Sequence, residues 1–207
     1  MTIKEGDVCY HPEGVEYGPQ NDEEDGTDHI LLILQFGGIS GQGYLSYDQL
    51  LSVQADLKNF GKFEGGKFHP ASGGEPKDGC EATWEHYNKC KLEYPKPHYT
   101  KPILIKPENF TLKKDHSVGS TESAYRKHLG TFTERAVLAE MIKVEKGGRL
   151  ELKPINGVQL VFVYKGEGEL GGEKLVKESA LRLEPGQQAT ISSMSNMEAL
   201  HLVLPAF

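Results

Sequence analysis

The feature that most constrains the fold is a run of short apolar segments separated by glycines between residues 147 and 190. Leu150 and Leu152 alternate with polar neighbours, and the continuous apolar run 160–164 follows a few residues later. Glycine-rich breaks end both segments. Such alternation between glycine breaks is typical of short antiparallel strands joined by tight turns. The sequence therefore predicts a β-barrel or a β-sandwich.

Short segments of this kind continue on both sides of this run. The strand candidates are residues 127–129, 135–145, 149–153, 158–165, 167–170, 180–183, 188–192 and 198–204. Eight short strands with glycine turns are enough for a jelly-roll barrel. The predicted fold class is therefore mainly β, with a few short helices. One helix is expected over residues 46–59, because Ser46 and Gln49 form a capping-box pattern ahead of an apolar face.

Five residues of the central run are spaced in a way that resembles the first motif of the cupin superfamily. They are Gly147, Lys153, Ile155, Gln159 and Gly166. In that family the three middle positions hold two histidines and a glutamate, which bind a divalent metal inside the barrel. Lysine, isoleucine and glutamine offer a cation, a hydrocarbon and an amide instead, and these cannot replace that ligand set.

The second cupin motif is also matched in spacing. Pro185 and Gly186 stand at its turn, and Ala189 occupies the position of the fourth metal ligand. The resemblance thus implies a cupin-type double-stranded β-helix over residues 127–207 and no metal or other cofactor at the usual place.

A further match to the second motif lies at the N-terminus, before any first motif. Gly6, Pro12, Gly14, Tyr17 and Asn21 fit its spacing, with Tyr17 at the histidine position. The apolar run at residues 29–36 follows and is expected to form a buried strand.

We therefore expect three regions in a bicupin-like chain. Residues 1–40 would be a partial cupin lobe or a strand extension, residues 41–126 a helix-and-loop linker, and residues 127–207 the complete barrel. Because exposed strand edges promote association, a homodimer through the N-terminal strands is expected.

Composition excludes some classes of partner. The 207 residues carry a net charge of −7 and have a pI near 5.6, which argues against nucleic acid as a partner. No apolar run is long enough to span a membrane, and no signal segment precedes Gly6. Three cysteines do not make a disulfide framework, so a cytoplasmic location is expected. A zinc site from Cys80, His86, Cys90 and His98 is a weaker alternative, because its spacing fits no usual zinc pattern.

Several side chains are candidates for chemistry in the barrel. Lys153, His201 and Tyr17 are the candidate catalytic residues, since a partly desolvated lysine, a histidine or a tyrosine can exchange protons with a substrate. The candidate substrate-binding residues are Gln159, Phe162, Tyr164, Trp84 and His86. Each of these residues also has a purely structural interpretation. His201 lies on the last strand, and periodicity alone does not decide which face of that strand points inward.

Three functions remain open. The first is a metal-independent isomerase, cyclase or lyase that acts on a small organic molecule by acid/base chemistry. The second is a non-catalytic cupin that binds a small ligand or regulates another process. The third is a metal-dependent oxygenase with unusual ligands, drawn from His11, His29, His86 and His98.

Overall fold

The computed structural model describes residues 1–18, 30–35, 43–132 and 136–204. The chain forms two compact units. One contains Met1–Tyr17 and His98–Phe207, and the other contains Gly18–Pro97. The domain boundaries expected at residues 40 and 126 stay a prediction.

Most of the regular secondary structure among the described residues is strand. In chain order the elements are β1 (Val8–Tyr10), α1 (Tyr47–Leu57), β2 (Gly61–Glu64), β3 (Lys67–Pro70), β4 (Lys77–Asp78), α2 (Gly79–Asn88), β5 (Ile103–Ile105), a 3-10 turn (Pro107–Asn109), β6 (Lys113–Lys114), β7 (Ala124–Phe132), β8 (Val137–Val144), β9 (Arg149–Leu152), β10 (Gln159–Lys165), β11 (Gly168–Leu170), β12 (Glu173–Leu175), β13 (Ala180–Leu183), β14 (Ala189–Ser193) and β15 (Met197–Val203).

Strands β8 to β15 form a jelly roll. One sheet has the order β13-β10-β15-β8-β7-β6, and the other has the order β12-β11-β14-β9. Successive hairpins thus wind between two facing antiparallel sheets, which is the jelly-roll arrangement. The predicted fold class, a mainly β cupin-type jelly-roll barrel with a few short helices, is confirmed.

The core of the barrel lies between the two sheets. Leu150, Leu152 and Ile191 of the smaller sheet are fully buried against Val161 and Val163 of the larger one. On each strand these residues alternate with more exposed neighbours, as expected where one sheet face is covered. The inward face of β10 is therefore the face of Gln159, Val161 and Val163.

The N-terminal strand pairs within the chain. Strand β1 lies antiparallel to β5, with Val8 opposite Ile105. Tyr10 of β1 also stacks on Phe132, with ring centroids 4.0 Å apart. Residues 103–105 thus form a strand within the segment predicted as a helix-and-loop linker.

The buried strand expected at residues 29–36 is not found in its described part. Residues 30–35 form no strand, and Ile30, Leu31 and Ile33 are 82%, 65% and 71% exposed. Residues 29 and 36 lie outside the described residues. The expectation was therefore wrong for residues 30–35. The reason is that an apolar run does not by itself supply the hydrogen-bonding partner that a strand needs.

The second unit contains both helices and one small sheet. Helix α1 begins at a complete capping box between Ser46 and Gln49, as predicted. Strands β2, β3 and β4 form an antiparallel sheet, and the core of the unit consists of Val53, Leu57, Phe68 and Ala82. No helix in the described part of the chain is long and apolar enough to cross a membrane.

Candidate functional site

One part of the barrel interior is polar. Gln159 on β10, His201 on β15 and Glu140 on β8 are all buried on the inward face of the larger sheet. The register explains this placement, because His201 lies directly opposite both Val161 and Glu140 in the antiparallel ladder. Cross-strand partners share a face, so the inward orientation of Val161 fixes that of His201.

The hydrogen bonds of His201 define the polar group. Its Nδ1 lies 2.7 Å from Oε1 of Glu140, and its Nε2 lies 3.1 Å from Oε1 of Gln159. The Gln159 amide nitrogen donates to the carbonyl oxygen of Lys153 at 2.9 Å. A carbonyl only accepts, so the amide must turn its oxygen toward His201. Both ring nitrogens therefore face acceptor oxygens, and a positively charged imidazolium would donate to both.

Arg126 extends this group to the rim of the barrel. Its Nη1 donates to Oε1 of Glu140 at 2.5 Å, and its Nη2 donates to the carbonyl of Glu151 at 2.8 Å. Its Nε lies 3.3 Å from Oδ1 of Asp115. Acidic and basic side chains thus alternate from Asp115 through Arg126 and Glu140 to His201. We call these four residues and Gln159 the interior network.

Both carboxylates of the interior network are held in the charged form. Burial by itself raises the pKa of Glu140, but the hydrogen bond to His201 and the charge of Arg126 outweigh it and leave that pKa below its usual value. Burial likewise raises the pKa of Asp115, but the hydrogen bond from Ser120 and the charge of Arg126 bring it below its usual value. Two ionised carboxylates therefore lie against the guanidinium of Arg126.

Of the three candidate catalytic residues, His201 alone has its side chain in the interior network. Lys153 is exposed just after β9 and contributes its backbone carbonyl to Gln159. Tyr17 is 59% exposed, and its ring lies against His11 with centroids 4.3 Å apart. Their catalytic roles stay predictions, but these geometries do not bring the three side chains to one point.

Among the candidate substrate-binding residues, Gln159 lies in the interior network, while two others lie on the opposite face of β10. Phe162 and Tyr164 alternate with the inward residues and are half-buried. The Tyr164 hydroxyl donates to Glu198 at 3.1 Å, and burial together with this carboxylate raises the pKa of Tyr164 well above its usual value. Tyr164 is therefore neutral at physiological pH. The binding roles of all these residues stay predictions.

Trp84 and His86 belong to α2 in the unit Gly18–Pro97. The Trp84 indole nitrogen donates to the carbonyl of Gly43 at 3.0 Å. His86 Nε2 lies 2.6 Å from Oδ2 of Asp56 on α1. Both side chains thus make structural contacts inside their own unit.

The residues at the cupin metal positions do not fit a metal ion. Lys153 is exposed, Ile155 and Ala189 are half-buried hydrocarbons, and the Gln159 amide is held by two hydrogen bonds. This set lacks the imidazole and carboxylate donors that a transition metal needs. Within the described ranges, no group of three or more His, Cys, Asp or Glu side chains is placed to hold a metal ion. The alternative zinc set of two cysteines and two histidines, which the structure describes in full, forms no such group either.

A groove of about 450 Å³ lies beside the interior network, on the edge of the larger sheet. Its lining residues come from the segment after the 3-10 turn and from β6 and β7: Asn109, Phe110, Thr111, Lys113, Arg126 and His128. Arg126 belongs to both the groove and the network. The volume lies within the range of small-molecule sites in proteins.

Sequence reasoning missed this groove, because residues 112–126 carry no hydrophobic periodicity and fall within the predicted helix-and-loop linker. It also missed Glu140 and Arg126. One signal was present: Glu140 occupies an alternating position with Ile142 and Val144 in a strand that was itself predicted. A carboxylate in a row of core residues indicates a buried partner.

No family model matches the sequence, and no curated protein matches it. Solved structures are similar to its barrel. A predicted oxalate decarboxylase from Thermotoga maritima has a TM-score of 0.43 and 14% identity, over 49% of this chain and 97% of that chain. The polyketide cyclase RemF from Streptomyces resistomycificus has a TM-score of 0.41 and 12% identity, over 48% of this chain and 75% of that chain.

A third similar structure is the cupin domain of an XRE-family transcriptional regulator from Enterobacter cloacae. Its TM-score is 0.38 with 18% identity, over 41% of this chain and 99% of that chain. Proteins named as enzymes and a domain of a regulator thus occur among the structures with this fold, and the fold does not choose between such functions. Scores below 0.5 carry no argument by themselves, so the assignment depends on the strand order of the two sheets. The chain carries a jelly-roll barrel of the cupin type, with the motif spacing of cupins but without their metal-binding side chains.

Proposed function

We propose that this protein binds a small organic molecule at the groove beside the interior network and does not transform it at His201. The observation that carries the proposal is that both ring nitrogens of His201 already lie within hydrogen-bonding distance of protein oxygens. A general acid or base needs a ring nitrogen within reach of the reacting proton. Chemistry at His201 would require the interior network to release a ring nitrogen, whereas binding at the adjacent groove does not.

The groove has the mixed lining of a binding site. Phe110 offers an apolar surface, while Asn109 and Thr111 offer hydrogen-bonding groups. Arg126 forms part of the wall and is held by Asp115, Glu140 and the carbonyl of Glu151. A wall fixed in this way costs little conformational entropy when a ligand binds, which supports affinity.

A metal-independent isomerase, cyclase or lyase is the second candidate. It is favoured by one observation, the buried pair of His201 and Glu140, since a carboxylate at one ring nitrogen can orient a histidine for proton transfer at the other. In that case the Gln159 side chain would have to leave Nε2 before a substrate could approach it.

A ligand screen by protein NMR separates the two candidates. We expect hits from a library of small organic molecules to shift the backbone amide signals of residues 109–113 and 126–128, with no conversion of the hits during incubation. Turnover that is abolished in His201→Gln would instead support the enzyme. Shifts confined to regions away from the groove would contradict both versions of the site.

The homodimer expected from the N-terminal strands stays a proposal, now placed at the described segment 30–35, which forms no strand. It is supported by the exposed apolar side chains of Ile30, Leu31 and Ile33, since exposed apolar runs favour association. Sedimentation analysis should show a dimer that dissociates in the triple variant with serine at these positions. A wild-type monomer at micromolar concentration would refute it. The expected lack of nucleic-acid partners and the cytoplasmic location stay predictions from composition.

A further inference from the structure

We propose that the ligand of the groove is a small organic anion, carrying a carboxylate or a phosphate group. This inference depends on the proposed function, because it names the chemical class of molecule that the same groove takes. It follows from the charges of the lining residues and from their positions on β6 and β7.

The charged side chains that line the groove are all potentially basic. They are Lys113, Arg126 and His128, and the remaining lining residues are uncharged. The whole chain carries a net charge of −7, so a lining without any carboxylate is unlike its average surface. A basic concave site in an acidic protein attracts anions by its local potential.

Arg126 is the less favourable main contact for the ligand, because its charge already has partners in the protein. Its three guanidinium nitrogens are directed to Asp115, Glu140 and the carbonyl of Glu151. These two carboxylates compensate its charge. Attraction to an anion therefore falls mainly to Lys113, while His128, which lies opposite Glu140 in the register of β7 and β8, adds a hydrogen-bonding ring.

The strand register places those two residues on the same side of the sheet. Lys113 lies directly opposite Arg126 in the antiparallel pair of β6 and β7, and His128 follows Arg126 by two residues on β7. Both residues are thus neighbours of Arg126 on one face, and they are diagonal neighbours of each other, at a separation of about 7–8 Å. An anionic group between them can receive hydrogen bonds from both. Phe110 would then contact the apolar part of the molecule.

Strand β6 supplies a matched control. Lys114 follows Lys113 directly, so its side chain points to the other face of the same strand. Its ammonium group makes an ion pair with Glu122 at 2.8 Å and does not line the groove. Lys113→Ala and Lys114→Ala remove the same formal charge from opposite faces of the same strand.

The experiment titrates the full chain with benzoate, phenyl phosphate and the neutral analogue benzamide, followed by the backbone amide signals of residues 109–113 and 126–128. We expect benzoate or phenyl phosphate to bind more tightly than benzamide. Binding should weaken about five-fold in Lys113→Ala, the upper range for an exposed charge pair, and by a similar factor in His128→Ala, which loses a hydrogen bond. It should be unchanged in Lys114→Ala. The ratio of the benzoate and phenyl phosphate affinities identifies which anionic group is preferred.

Three results would overturn the inference. Benzamide binding as tightly as the anions would show that charge is not recognised, and equal losses in Lys113→Ala and Lys114→Ala would show an effect of net charge alone. If neutral library members occupied the groove while both anions failed to bind, the inference would fail and the proposed function would stand. If no compound of either set shifted the groove signals, both would fail.

Discussion

Two histidine–carboxylate pairs in this protein have nearly the same geometry and very different surroundings. His201 and Glu140 lie 2.7 Å apart inside the barrel, with side chains 4% and 8% exposed. His86 and Asp56 lie 2.6 Å apart between α1 and α2, with side chains 24% and 55% exposed. Distance alone would rank the two pairs as equal.

The difference between the pairs is their solvation. Water screens the exposed pair and can replace either partner, so the pair contributes little to stability. The buried pair lost its hydration on folding, and each member now depends on the other members of the interior network. A contact distance therefore says little about the importance of a charged pair until its burial is known. The four predictions below test this contrast, from the largest expected effect to the smallest.

Glu140→Gln should have the largest effect. It leaves Arg126 and His201 without the carboxylate that holds both, and breaking a buried pair costs about 3–5 kcal/mol of unfolding free energy. Urea denaturation followed by circular dichroism measures the loss. A loss below about 1 kcal/mol would mean that the buried pair behaves like an exposed one.

Gln159→Leu should cost less, because it removes neutral hydrogen bonds. The Lys153 carbonyl loses its donor from the side chain, and Nε2 of His201 loses its acceptor. Unsatisfied buried polar groups cost about 1–3 kcal/mol. The same denaturation assay applies, with Leu160→Ala, half-buried on the opposite face of β10, as a control for general weakening of the strand. An increase in stability would indicate that the network is not needed for folding.

The contribution of the Glu140 charge should disappear in acid. Its pKa is lower in the folded protein than in the unfolded chain, despite the opposing effect of burial. The stabilisation is therefore fully present above the unfolded value, near about 4.3, and is lost as the pH falls through the lower folded value. We expect the stability difference between wild type and Glu140→Gln to narrow as the pH is lowered from 7 to 2. A difference that stays constant over this range would contradict the linkage.

Asp56→Asn should have the smallest effect. It removes the carboxylate from His86 in an exposed position, where pairs contribute at most about 1 kcal/mol. The loss of unfolding free energy, measured by the same urea denaturation, should stay below this value. A loss as large as that of Glu140→Gln would remove the contrast between the two pairs.

Much of the barrel was predictable, because strand alternation and glycine turns are local signals. All eight predicted strands correspond to strands of the two facing sheets with shifts of a few residues, as in the segments around Leu150 and Val161. The short strand β12 was missed, because Glu173 and Lys174 give it no apolar alternation. The run at residues 30–35 was assigned wrongly, because apolar character does not reveal whether a pairing partner is present.

The candidate site was predicted only in part. His201 and Gln159 were singled out from the sequence, the latter by its position in the cupin motif. Their partners Glu140 and Arg126 lie 61 and 75 residues before His201 in the chain, and short-range patterns do not connect such positions. The groove depends on the same long-range pairing, since it needs the register of β6 on β7.

The sequence by itself determined the strand pattern and the side chains at the cupin ligand positions, because strand periodicity and motif spacing depend only on residues close together in the chain. Only the tertiary structure decided which face of β15 points inward, and thus that His201 meets Glu140 rather than solvent. The physical reason is that alternation separates the residues of a strand into two faces but does not determine which face is buried. Burial is assigned when the second sheet covers one of those faces.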